Sequence, residues 1–154
     1  MPLRALLELV QAAPQAFRRE PAIDEGSGQQ LLAAAVQRYE AAQLAANPDP
    51  VRLDTAYDTV LFCGLALLAA RGYRTQAKEG HHELVLEAMA AELGLTEARH
   101  DEVDALRKRR NAKYTGLTRV SPADLKTALA LARRILDDTE VWFTRERAER
   151  LRRS

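Results

Sequence analysis

A single cysteine, Cys63, among 154 residues excludes an internal disulfide and a cysteine-ligated metal cluster. Its position inside an apolar run marks it as a small core hydrophobe, and a cytoplasmic protein is the simplest expectation. Aromatic residues are scarce at 5%, although hydrophobic residues reach 47%. The difference is aliphatic, which favours helices packed through alanine and leucine over a sheet. Charge of one sign is also lacking: 23 Lys+Arg face 22 Asp+Glu, for a net +1. No global field therefore argues for nucleic acid or a membrane, and any such partner must be argued from local clustering. Long hydrophobic runs are missing as well. The longest uncharged apolar stretch, residues 60–70, is about half of the ~20 residues a membrane span needs. The first ten residues carry charge unsuited to a secretory segment and fit an amphipathic helix, so a soluble chain is expected. There is no repeat, no low-complexity segment and no convincing alternation for a strand. A Gly-rich phosphate loop and a Gly-x-Ser-x-Gly elbow are likewise missing, which leaves hydrolase triads unsupported.

What is present reads as one all-α domain over residues 1–154, an up-and-down bundle of five to six helices. Residues 2–13 form a first helix carrying Leu3, Leu6, Leu7 and Val10 on one face, and Pro14 stops it. The Pro- and Gly-containing stretch 14–28 is expected as a loop, so that this end is peripheral to a core spanning 29–143. A second helix starts near Ser27, with Leu32, Ala35, Val36 and Tyr39 at core spacing, and ends before Pro48. From Pro50 to Arg71 the pattern turns apolar on all sides, as expected of a central helix surrounded by others. A connection follows over 72–80, then a helix opened by His81 and His82 and closed by Gly94. Thr96 caps the next helix, expected over 97–115. Ser121 and Pro122 start the last one, whose basic end, 144–154, is expected to fray or meet a partner.

The stretch from His100 to Gly116 departs most from a generic helix. Its acids precede its bases, the order that the helix dipole favours. Arg107, Asn111 and Tyr114 fall on one stripe, and Arg110 lies at the border between that cationic face and the apolar stripe of Val103 and Leu106. A guanidinium held there needs an acceptor, either a carboxylate of another helix or the phosphate of a ligand. The alternative is that Arg107, Lys108, Arg109, Arg110 and Lys113 form a solvated face. Asp58, next to Tyr57 at the head of the apolar helix, is a candidate partner for Arg110 or Arg107, or else an exposed acid beside Asp54. His81 and His82 sit where the positive end of a helix dipole disfavours imidazolium; they either cap that helix or serve a site. Glu97 and His100 have the Glu-x-x-His spacing of di-metal bundles, but no second pair accompanies them, and Leu86 stands where a zincin would place its second histidine. No metal or cofactor is expected. A DNA-reading helix-turn-helix unit is disfavoured because a long amphipathic helix precedes the basic one.

At Arg109-Arg110-Asn111-Ala112-Lys113-Tyr114 the sequence resembles the HEPN domains, small helical bundles that occur as ribonuclease toxins, defence nucleases and nucleotide-binding accessory proteins. Residues 56–72 resemble the family's central helix, 80–85 the histidine-bearing start of its next helix, and 106–116 its motif helix; the likeness spans roughly residues 30–142. It implies metal-independent endoribonuclease chemistry, with Arg110, Asn111 and Tyr114 as the catalytic set. Arg107, Lys113, Asp58, Tyr57, His81 and His82 would then line the RNA or nucleotide site. Catalytic members carry a histidine at helical distance after the arginine; here Tyr114 and Thr115 stand in its place, and a neutral phenol is a poor base near pH 7. The resemblance also implies a homodimer with motif helices facing, a toxin-antitoxin or defence setting, and a nucleotidyltransferase-type antitoxin for which Tyr114 would be the modified residue. A different class of reading makes this helix a structural element of a non-catalytic dimerisation or protein-interaction module.

Overall fold

The computed structural model describes residues 3–75, 81–113 and 119–153. Six α-helices lie among them: α1 (Leu6–Ala12), α2 (Glu25–Ala42), α3 (Asp49–Ala70), α4 (His81–Leu93), α5 (Glu97–Lys113) and α6 (Pro122–Arg153). The architecture is an all-α helical bundle. It has one addition that no sequence pattern marks, an antiparallel pair of three-residue strands, β1 (Phe17–Arg19) and β2 (Tyr73–Thr75), with Arg18 opposite Arg74. Elements this short cannot display a period of two, so alternation could not reveal them.

The bundle is organised around α3, which packs against α2, α4, α5, α6 and β2. Leu53, Ala56, Tyr57, Val60, Cys63, Ala66 and Leu67 are fully buried along it. By length and composition α3 would be long and apolar enough to cross a bilayer, and 67% of its apolar window is buried within the bundle. Its buried Thr59 returns a hydrogen bond to the Thr55 carbonyl at 2.9 Å, as Thr139 of α6 does to Ile135 at 2.7 Å, so neither hydroxyl is stranded in the core. Burial pushes the Cys63 thiol up to about 12, the state of an inert packing residue.

Local chemistry accounts for the element boundaries. α2 begins earlier than its glycines suggest, because Asp24 caps it in a reciprocal box with Ser27. α4 ends in a Schellman turn: Gly94 has φ +67°, its N–H donates to Ala91, and the Leu95 N–H donates to Ala90. Thr96 Oγ1 then accepts from the Arg99 N–H and starts α5. Ser121 and Asp124 form the box that starts α6, and Asp124 also holds Arg109 of α5 at 2.7 Å. The last helix continues past residue 144 to Arg153, with Arg150 paired to Glu25 of α2 at 2.7 Å. At the other end Leu9 and Phe17 are buried in the same core as α3, and a two-pronged Arg4–Glu87 pair ties the start of the chain to α4.

Candidate functional site

Three helices bring most of the singled-out residues to one place. The head of α3 supplies Tyr57 and Asp58, successive residues that turn about 100° from one another, so Tyr57 is fully buried while Asp58 is half-buried. The first turn of α4 supplies His82. The last turns of α5 supply Arg107, Arg110 and Asn111.

Tyr57 is the hub. Its hydroxyl lies 3.2 Å from His82 Nδ1, and the Arg110 guanidinium carbon lies 5.3 Å from its ring centroid, within cation–π range. Burial raises the phenol to about 12 despite the opposing fields of Arg110 and Arg107. It is therefore a neutral hydrogen-bonding group at any physiological pH. Burial and then the Arg110 charge lower the His82 pKa below its ordinary value of 6.5, partly offset by Asp58, so the imidazole is neutral near pH 7. Burial raises the Asp58 carboxyl from its ordinary 3.8, against the pull of Arg110 and Arg38.

Between the two partners considered for Asp58, the electrostatics favour Arg110. Arg107 instead engages Asp104 at 3.0 Å and Glu83 at 3.3 Å, bridging α5 to α4. Asp104, pushed up by burial, ends below its ordinary value because Lys108 and Arg107 hold its charged form. Asn111 is exposed and its carbonyl oxygen accepts from Arg110 Nη1 at 3.4 Å. His81 is partly buried and acts on His82 through charge. Lys113 is the last residue of α5; its side chain and Tyr114 lie outside the described residues. Arg38, exposed on α2 with its guanidinium over Phe62 at 5.1 Å, joins the field at Asp58. Nothing in the sequence singled it out, since an exposed arginine on an amphipathic helix looks like any other.

The basic run is thus split in function. Lys108 and Arg109 are exposed and paired with Asp104 and Asp124, whereas Arg110 turns inward over an aromatic ring. Among the described residues no three or more His, Cys, Asp or Glu converge as a metal site. A groove of about 780 Å3 between α5 and α6, and a second of about 380 Å3 between the α4–α5 turn and α6, have none of the candidate residues in their walls. No protein-family model, curated protein or solved structure matches this chain.

The depressed His82 has a stability consequence. In the window below 6.5 the unfolded chain binds this proton more readily than the folded one, so stability falls as pH drops through it and is regained above it. Asp58 acts with opposite sign from its ordinary 3.8 upward, where rising pH costs stability. Urea unfolding at pH 7.5 and 5.5 should therefore show a loss at the lower pH that shrinks in His82→Gln; an unchanged difference would remove His82 as its source.

Proposed function

We propose that this chain is a HEPN-like bundle that binds RNA or a nucleotide through a phosphate held by Arg110, without a metal ion. The observation that carries the reading is the assembly of Arg110, Tyr57, His82 and Asp58 from three helices. A guanidinium oriented by an aromatic face is a ready anion receptor, because part of its ordering entropy is already lost. The neighbouring imidazole is neutral near pH 7, the state a general base requires. In the tautomer whose Nδ1–H donates to the Tyr57 hydroxyl, Nε2 carries the lone pair, and proton removal from a ribose 2′-OH would run through that atom. His82 is then the residue that stands in for the histidine missing from the motif. Exposed Asn111 next to Arg110 adds a second polar contact for the same phosphate.

A second reading is favoured by the position of Arg110 over Tyr57 and in the field of Asp58: the arginine clamps α5 to α3 and the helix serves an interaction module. One set of variants separates the two. Fluorescence anisotropy with a labelled single-stranded RNA in EDTA should show Arg110→Ala weakened about tenfold or more, with a shallower salt dependence. His82→Ala should retain binding and lose any cleavage. Unchanged RNA affinity in a folded Arg110→Ala, accompanied by a lower melting temperature, would select the interaction module.

A further inference from the structure

The exposed side of α6 carries a self-complementary stripe. Thr127, Ala130, Arg134, Asp137, Val141 and Thr144 are all exposed and succeed one another in alternating steps of three and four residues, so they form one seam that drifts about 20° per heptad and that a left-handed crossing keeps against its partner. The stripe reads the same in both directions about a point between residues 135 and 136. An antiparallel α6 related by a two-fold axis through that point would set Arg134 against Asp137, Ala130 against Val141, and Thr127 against Thr144, each pairing occurring twice. Arg133 would likewise face Asp138.

Several features support this occupant. Val141 is 49% exposed, and the residue opposite it would be a small alanine that leaves room for it. The Arg134 and Asp137 side chains are 59% and 50% exposed, and the within-chain pairs they join, Arg134–Asp138 at 3.7 Å and Arg133–Asp137 at 3.2 Å, are solvent-facing and weak. Their charges remain available to a partner. The stripe borders the 780 Å3 groove, whose floor includes Ala105, Leu106 and Leu131, and the adjoining groove shares Arg99 and Arg134 with it. At the ends Lys126 would meet Arg145 of the second copy, a like-charge contact at the exposed rim that opposes association.

We infer that two copies of this chain pair through antiparallel α6 helices about an axis between residues 135 and 136, with the α6 stripe of each seated along the α5–α6 groove of the other. This isologous arrangement differs from pairing through facing α5 helices, and it leaves each Tyr57–His82–Arg110 cluster to a single chain. It does not rest on RNA binding.

Cysteine cross-linking tests the register. Along one helix residues 130 and 141 are about 16 Å apart at 1.5 Å per residue, too far for a disulfide within a chain. Ala130→Cys/Val141→Cys should therefore oxidise to a covalent dimer, while each single variant should not, because Cys63 is buried and each new thiol would face the other position. Charge reversal provides the second measurement. In sedimentation velocity Arg134→Asp should weaken dimerisation by more than about tenfold, and Arg134→Asp/Asp137→Arg should restore it. A wild type that stays monomeric at all concentrations, a dimer indifferent to Arg134→Asp, or single-cysteine variants that cross-link as well as the double would each overturn the inference.

Discussion

Tyr57→Ala should cost about 3–5 kcal/mol of stability, the range for removing a fully buried aromatic side chain. Tyr57 is 0% exposed and sits where α3 meets α4 and α5. Removing it leaves a cavity under Arg110, withdraws the ring that orients the guanidinium, and strips His82 Nδ1 of its hydroxyl partner. Tyr57→Phe keeps the ring and the cation–π contact and should cost only about 1 kcal/mol for the lost hydrogen bond. Chemical denaturation of both variants checks the ranking. If alanine costs no more than phenylalanine, the tyrosine is not the hub of this site. On the proposed function, Tyr57→Phe should retain RNA binding, because Arg110 remains in place.

Gly28→Ala should destabilise by about 1–3 kcal/mol, and Gly64→Ala by clearly less, although the nearest obstacle is equally close in both. A Cβ at Gly28 would lie 2.8 Å from the Ala66 carbonyl oxygen and 3.1 Å from two Phe143 ring carbons, trapped between α3 backbone and α6 side chain. A Cβ at Gly64 would also meet an atom at 2.8 Å, but that atom is a single side-chain methyl, Val85 Cγ1, and the next neighbours stand at 3.5 Å, so a small tilt of the valine within its rotamer relieves it. The α2–α3 approach at Gly28 has no such freedom, because backbone can yield only by shifting a whole helix. Equal losses in the two variants, measured by thermal unfolding, would show that α2 relaxes away from α3 and that this contact is not rigid.

Much of the bundle was legible because its signals are local. The apolar run of α3, the Thr96 and Ser121 caps and the Gly94 stop are properties of adjacent residues, and the helices follow them closely. The errors occur where a weak local signal was overruled. Glycines at 26 and 28 suggested a loop, but the Asp24–Ser27 box starts α2 through them, and close packing gives Gly28 its use. The basic end of α6 suggested fraying or a partner; the helix continues through it to Arg153, and Arg150 pairs with Glu25, 125 residues away in the chain. The two short strands depend entirely on each other and carry no pattern of their own.

The candidate cluster was legible only in part. Its residue types stand out at Tyr57, Asp58 and Arg110, polar or ionisable groups beside apolar stripes, and at His82 in the first turn of a helix. Which acid faces which base was open between Arg107 and Arg110. That choice depends on the rotation of α5 about its axis against α3 and α4, a tertiary quantity: Arg107 turns to Asp104 and Glu83, and Arg110 turns to Tyr57.

By itself the sequence determined that this chain is helical, where most of its helices start and stop, and which one lies at the centre, because capping, propensity and apolar periodicity act over a few residues. Only the tertiary structure decided that Tyr57 is wholly enclosed, that its hydroxyl meets His82, and that Arg110 is set apart from the other bases of its run. Those relations arise from helix-to-helix distances and rotations, which many side chains set jointly and no short segment encodes.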